Sequence, residues 1–153
     1  MKTKLLWLPF LLAVHFSPLI LSACTPEQEK EFTEKYKKAF ETNDTATLQS
    51  FLYSKDANPM ALEFYKMMIT EGAGSAKIGK IELVNLTPED AKKAAEVETG
   101  PDGSKAKLPL TPTKKLKIGI ETKDGNGSST STSEAFVAEK DGKYVIPVPA
   151  MVK

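Results

Sequence analysis

The residue types that most often carry enzymatic chemistry are nearly absent from this chain. Cys24 is the only cysteine, His15 is the only histidine, and there is no arginine. His15 lies inside an apolar N-terminal segment and Cys24 at its end, so residues 25–153 have neither a thiol nor an imidazole. A Ser-His-Asp triad, a Cys-His pair and a histidine-based zinc site are therefore excluded there. Acid–base catalysis would fall to Asp, Glu, Lys or Tyr with a strongly shifted pKa.

The charge balance argues against a nucleic-acid partner. The net charge is +1, and all 21 basic residues are lysines. Nucleic-acid-binding proteins usually show a basic stripe and use arginine for bidentate contacts. Lysine offers a point charge instead of a planar fork, so a dedicated phosphate or carboxylate clamp is also disfavoured. We expect no nucleic-acid partner, no metal site and no cofactor.

Residues 1–23 have the pattern of a secretory signal. A head with two lysines precedes residues 5–23, which are almost wholly apolar. A transmembrane anchor is the alternative, because the run is near the roughly 20 residues that a bilayer requires. Pro9 and Pro18 would disturb a spanning helix, which favours the signal.

The end of this segment, Leu-Ser-Ala-Cys at residues 21–24, resembles the lipobox of bacterial lipoproteins. In that family the cysteine thiol is diacylated, the signal is cut before the cysteine, and the new amine is usually acylated. Two or more acyl chains hold a protein stably on a membrane. The resemblance implies a signal peptide at 1–23, lipidation of Cys24 and a short linker at 24–26. Thr25 stands where an aspartate tends to retain lipoproteins at the inner membrane, which implies the outer membrane, facing the periplasm.

The rest of the chain predicts helices first and strands afterwards. Apolar residues at helical spacing predict three helices, over 27–42, 45–53 and 59–71. A short helix is predicted over 87–95, where Thr87 and Asp90 fit a capping box. Four strands are predicted over 77–86, 108–122, 128–139 and 143–152. This order predicts an α+β fold with N-terminal helices packed on one face of a curved antiparallel sheet of about four strands.

Two segments resemble the nuclear-transport-factor-two-like superfamily, a cystatin-like cone. They are Phe-Glu-Thr-Asn-Asp at 40–44, continuing through Leu48 and Phe51, and the closing Asp-Gly-Lys-Tyr-Val at 141–145. The resemblance spans most of residues 27–150 and implies a single cone-like domain over 27–153, although Tyr144 replaces the usual tryptophan. Isomerases and cyclases of that group use an Asp, often with a His or a Tyr pair. No such set can be assigned here, so the resemblance implies a pocket-shaped fold and no reaction.

The third predicted helix carries the candidate pocket. An apolar pocket for a lipid-like ligand is one interpretation, since methionine suits adaptable surfaces. A core-facing stripe is the other, and it is favoured because a helix that covers a sheet buries such a stripe. The candidate residues are Met60, Phe64, Met67 and Met68, with Tyr36 and Phe40 of the first helix.

Each of the other notable polar groups has a structural as well as a functional interpretation. Alternating oxygen donors at Asp124, Asn126 and Ser128 suggest a calcium loop, but a hairpin turn fits better because Ser129 occupies the position that needs glycine. A set of acidic residues suggests an acid–base pair, although a solvated helix face is favoured; these residues are Asp44, Asp56, Glu63 and Glu71. A set of lysines suggests a contact to anionic lipid or cell-wall polymer, although a solvated strand face is favoured; these residues are Lys105, Lys107, Lys114, Lys115, Lys117 and Lys123.

Two function classes remain open. The first is an envelope lipoprotein, attached to the membrane through lipid on Cys24, whose non-catalytic domain binds an envelope protein or a small apolar ligand. The second is a small cone-fold isomerase or hydrolase that uses only Asp and Tyr. A homodimer through the open face of the sheet is a further hypothesis.

Overall fold

The structure, a computed structural model, describes residues 24–100, 103–125 and 127–152. The predicted signal at 1–23 and Asn126 of the hairpin turn lie outside the described residues. Within the described ranges, no helix combines the length and the apolar character that crossing a bilayer requires.

Four helices form within the described ranges, and each begins after a residue whose side chain caps it. They are α1 (Pro26–Glu41), α2 (Thr45–Ser50), α3 (Pro59–Thr70) and α4 (Pro88–Ala95). The capping side chains accept hydrogen bonds from backbone N–H groups of the first turn, and they belong to Thr25, Asp44, Asn58 and Thr87. Proline follows the cap in α1, α3 and α4, where its missing N–H leaves no hydrogen bond unmade. Local capping chemistry therefore fixes where the helices begin.

In the part of the chain that the structure describes, eight strands form two sheets. They are β1 (Leu52–Tyr53), β2 (Lys77–Asn85), β3 (Glu98–Thr99), β4 (Lys105–Lys107), β5 (Lys114–Asp124), β6 (Gly127–Lys140), β7 (Lys143–Pro147) and β8 (Ala150–Met151). The main sheet has the order β1-β7-β6-β5-β2, and a small sheet has the order β3-β4-β8. The predicted α+β fold, with helices packed on a curved sheet, is confirmed. The main sheet is mixed, because the short β1 pairs parallel with β7.

Three predicted boundaries were wrong, and proline explains two of them. The strand predicted over 143–152 divides into β7 and β8, which lie in different sheets, because Pro147 and Pro149 cannot donate to a ladder. The segment 108–113 is not a strand, and it contains two prolines of its own. The helix predicted to reach Tyr53 ends at Ser50, and the chain continues into β1.

The core lies between α1 and the main sheet. Phe32 and Tyr36 of α1 pack on Phe51, with the rings of Phe32 and Phe51 edge-on at 4.9 Å between centroids. Tyr144 of β7 joins the same aromatic cluster. The strands contribute alternate residues, and α3 contributes Ile69. Besides Tyr144, the buried strand residues of this cluster are Ile78, Leu116, Ile118, Val137 and Ile146.

Candidate binding site

The structure separates the six candidate pocket residues. Tyr36 and Phe40 lie in the core, with 4% and 2% of their surface exposed. Met60, Phe64 and Met67 are 56%, 55% and 60% exposed. Met68 is half-buried. The six residues do not form one pocket, and the favoured core interpretation is wrong for the three exposed ones.

Met60, Phe64 and Met67 form an apolar row along one side of α3, here called the α3 stripe. Residues four and three positions apart share one face of a helix, so the three side chains are neighbours. Ile69, near the C-terminal end of α3, is buried in the core, and the partly buried Tyr65 packs against that core. Because each of the three side chains is more than half exposed, the stripe lies on a side of α3 that the rest of the described chain covers only in part.

A cleft of about 410 Å³ adjoins this stripe, between the start of α3 and the small sheet. Its volume is within the range of small-molecule pockets. Met60 and Phe64 belong both to the stripe and to the cleft, whereas Met67 lies beyond it. The remaining lining residues are Asn58, Ala61, Tyr65, Glu98, Thr99, Gly100, Ser104, Ala106 and Pro149. We call this the α3 cleft.

Asn58 holds the two walls of the α3 cleft together. Its side-chain oxygen accepts hydrogen bonds from the backbone N–H groups of Met60 and Ala61, at 2.9 and 3.2 Å. Its amide nitrogen donates to Ser104 Oγ at 3.2 Å and to Met151 Sδ at 3.1 Å. The amide is thus fully engaged, and Asn58 fixes the shape of the cleft instead of meeting a ligand.

The titratable groups of the α3 cleft are Tyr65 and Glu98. Burial raises the pKa of Tyr65, and the nearby Glu98 carboxylate raises it further, so the phenol stays neutral at physiological pH. Glu98 is exposed and takes part in no salt bridge among the described residues. Nowhere in the described ranges do three His, Cys, Asp or Glu residues converge to hold a metal ion. The cleft offers an apolar surface with one carboxylate at its rim.

Cys24 is seated on the domain at the opposite end of α1 from the α2 junction. Its backbone N–H donates to Glu139 Oε2 at 2.7 Å, and its side chain packs against the core. Burial, with the Glu139 carboxylate, raises the pKa of the thiol to about 11. Thr25 caps α1 directly afterwards, and Pro26 is the first residue of that helix. The thiol is protonated near neutral pH and is a weak nucleophile.

A tyrosine and a carboxylate do meet near Cys24. Tyr144 Oη donates to Glu29 Oε1 at 3.2 Å, and Lys114 Nζ lies 2.8 Å from the same oxygen. Burial raises the pKa of Tyr144. Because Lys114 and Tyr144 share one oxygen of Glu29, the arrangement joins α1 to β5 and β7. The solvated interpretation of Lys114 is therefore wrong.

Lys115 is a second lysine for which the predicted solvated position is wrong. Its Nζ lies 2.8 Å from Asp90 Oδ1 and 3.3 Å from Glu134 Oε2. Asp90 also completes the capping box of α4 with Thr87, as predicted. The hydrogen bond from Lys115, together with those from Thr87, lowers the pKa of Asp90 to about 2. This contact fastens α4 to the sheet.

The remaining predicted features stay apart. The hairpin at 124–127 is formed, since β5 ends at Asp124 and β6 begins at Gly127. Asp44 caps α2, and Glu63 pairs with Lys66 on the surface of α3. Asp56 and Glu71 are exposed. None of these acids is drawn into a common site.

Comparison with known proteins gives little. No family model matches the chain, and no curated protein matches it. Among solved structures, the helical cell shape determining protein Pgp2 from Campylobacter jejuni is similar over 76% of this chain, with 14% identity and a TM-score of 0.43. The chain spans 37% of the length of that protein. A designed NTF2-like protein is similar over 80% of this chain and 95% of its own, with 8% identity and a TM-score of 0.38. Likeness at this level leaves the function to be argued from the chain itself.

Proposed function

We propose that this chain is a lipid-anchored protein of the bacterial envelope whose single cone-like domain is a non-catalytic binding module. The α3 stripe and the α3 cleft together are its binding surface. The observation that carries the proposal is that three large apolar side chains on one helix face are each more than half exposed. Contiguous exposed apolar patches on a folded domain mark interaction sites.

The extent of the patch favours a protein partner over a small ligand. A small apolar molecule in the α3 cleft would cover Met60 and Phe64 but would leave Met67 in water. A partner segment that lies along α3 would cover all three side chains. Methionine adapts its shape to a partner, and two of the three residues are methionine.

Cys24 supplies the anchor in this proposal. The lipobox resemblance supports lipid on its sulfur, and Thr25 in place of an aspartate supports the outer membrane, facing the periplasm. The thiol is half-buried and packs beside the core. With α1 starting directly after Cys24, the lipid would hold the domain close to the membrane surface.

An isomerase or hydrolase has less support from the geometry. Such an enzyme needs a carboxylate and a tyrosine that face an open pocket. Tyr144 and Glu29 are tied to each other and to Lys114. Tyr65 lines the α3 cleft, but its neighbour Glu98 is exposed.

The binding surface is tested by photo-cross-linking in intact cells. A benzophenone amino acid is placed at position 64 or 67 of the full chain, and at position 80 of β2 as the exposed polar control. We expect a discrete covalent adduct from 64 and 67 and none from 80. Adding Met60→Ser to the position-67 probe is expected to weaken the adduct. Folded chains that give no adduct from either α3 position would refute the proposed surface.

The anchor is tested separately by intact mass spectrometry and labelled palmitate. The chain is expected to begin at Cys24 with added acyl mass and to incorporate the label. Cys24→Ser is expected to keep residues 1–23 and to lose the label. A chain that carries no acyl mass, with Cys24 unmodified, would show that it is not a lipoprotein, whatever α3 binds.

A further inference from the structure

β6 is the longest strand of the fold and is paired along only part of one side. It pairs with β5 from Gly127 to Val137 without a break in register. It pairs with β7 only at Ala138, Glu139 and Lys140. Among the described residues, the stretch 127–137 therefore has a free edge on the side away from β5.

The direction of the backbone groups along this edge follows from one hydrogen bond. Thr113 N–H donates to the carbonyl of Val137 at 2.9 Å, so odd-numbered residues of β6 point their backbone groups toward β5. The even-numbered residues therefore point theirs outward. The even-numbered Lys140 agrees with this alternation, since it forms with Lys143 the closing pair of the two-residue hairpin between β6 and β7 on the outer side. The outward residues of the stretch are Ser128, Thr130, Thr132, Glu134 and Phe136, of which the first four are exposed and Phe136 is half-buried.

This edge lacks the features that usually prevent an exposed sheet edge from pairing with another strand. Such edges usually carry lysine, proline or a bulge that prevents further pairing. The stretch 127–133, Gly-Ser-Ser-Thr-Ser-Thr-Ser, has no charge and no proline. At the other edge of the same sheet, β2 has Lys77 and Lys80 and a register shift between Ile78 and Lys80. One edge is protected and the other is open.

We infer that a second copy of this chain docks on this edge, with the two β6 strands paired antiparallel about a two-fold axis at Ser131. An antiparallel edge is complementary to itself under such an axis. Thr130 then lies opposite Thr132 of the partner subunit, and Glu134 lies opposite Ser128 of the partner subunit. No two like charges meet, which is the reason for choosing a second copy as the occupant.

The open face of the sheet is a poorer contact for a second copy. It carries Lys80, Glu82, Lys117 and Glu134, which form salt bridges with neighbours on that face. Burying these charges against a copy of themselves would remove their hydration and would place like charges together. The edge of β6 instead offers uncharged backbone donors and acceptors. This contact is independent of the α3 stripe.

The test places a cysteine on the two-fold axis. In this register Ser131 and the partner's Ser131 form a non-hydrogen-bonded pair, with Cα atoms roughly 4.5 Å apart, which a disulfide can bridge once both are cysteine. The full chain with Ser131→Cys is produced in bacterial membranes and oxidised with copper phenanthroline. We expect roughly tenfold more covalent dimer than from Lys80→Cys on β2 or from the unsubstituted chain, because only the β6 pairing brings the thiols together.

Two further variants examine the backbone contact itself. Thr132→Pro removes one outward N–H and leaves the ladder to β5 unchanged, and it is expected to abolish the dimer that Ser131→Cys forms. Thr132→Val keeps the N–H and is expected to preserve the dimer. If the Pro variant cross-links as well as the Val variant, or if the introduced thiol links to a different protein, a second copy does not occupy the edge.

Hydrogen exchange gives an independent readout on the unsubstituted chain, should the cysteine variant fail to fold. Paired edges make the outward amides of Thr130 and Thr132 exchange as slowly as the inward amides of Ser129 and Ser131. Fast exchange of the outward amides at every protein concentration would overturn the inference.

Discussion

Helices α1 and α3 carry large apolar residues at nearly the same spacing, yet α1 buries them and α3 exposes them. Phe32, Tyr36 and Phe40 of α1 are at most 5% exposed, whereas every member of the α3 stripe is at least 55% exposed. The α1 face meets aromatic rings from the loop after α2 and from β7. The α3 stripe adjoins the cleft beside the small sheet and is mostly exposed to solvent. Spacing decides which residues share a face, and the tertiary arrangement decides whether that face is covered.

The largest expected effect is on stability, and it distinguishes the α1 face from the α3 stripe. Phe32→Ala is expected to lower the free energy of unfolding by about 3–5 kcal/mol, because it opens a cavity among Tyr36, Phe51 and Tyr144. Phe64→Ala, the matched change on α3, is expected to alter it by less than about 0.5 kcal/mol. Urea denaturation of both variants measures the difference. Equal losses would mean that the stripe is buried in the free protein.

Alkaline pH distinguishes the tyrosines of the same two helices. Burial raises the pKa of Tyr36 on α1, which lies in the core, and also that of the half-buried Tyr65 on α3. A raised folded pKa gives stability that is complete below the unfolded pKa of about 10 and is lost as the pH rises toward the folded value, by about 1.4 kcal/mol per pH unit and proton. Between pH 9 and 12, the free energy of unfolding, measured by urea denaturation, is expected to depend less on pH in Tyr36→Phe than in Tyr65→Phe. The reverse order would contradict the burial of α1.

Helix α4 is fastened by charge where α1 is fastened by apolar contact. The hydrogen bond from Lys115, followed by those from Thr87, lowers the pKa of Asp90 to about 2. A lowered folded pKa gives stability that is present above the unfolded pKa of about 4 and is lost as the pH falls toward 2. We expect acid unfolding of Asp90→Asn to depend less on pH over this window than that of the parent chain. Glu89→Gln on the exposed side of α4 is the control and is expected to behave as the parent.

Features that depend on neighbours in sequence were predictable. The caps of α1, α3 and α4 follow from a capping residue and a proline that stand next to each other. The Asp141-Gly142 hairpin follows from two residues that tolerate positive φ, and both adopt it, at 51° and 72°. Pro147 and Pro149 indicate that the last predicted strand is interrupted. They do not indicate that its two parts, β7 and β8, belong to different sheets.

Features that depend on distant contacts were not predictable. Lys115 and Asp90 are 25 positions apart, and nothing in an alternating lysine pattern indicates that one lysine meets a capping aspartate. The parallel pair of β1 and β7 joins two short segments that lie far apart in the chain. The candidate site divides in the same way. Helical spacing identified its α3 wall, whereas the opposite wall of Glu98, Thr99 and Ser104 carried no signal.

The smallest expected change in stability tests the α3 stripe directly. Met67 is 60% exposed and lies outside the cleft, so Met67→Lys is expected to change the free energy of unfolding by less than about 0.5 kcal/mol. The same substitution places a charge where a partner would have to bury it, so the cross-link from position 64 is expected to fall sharply. Lys80→Met, the converse change on β2, alters neither quantity if α3 alone binds. A stable Met67→Lys variant that keeps its full adduct would show that the partner stops at the cleft and leaves the end of the stripe in water.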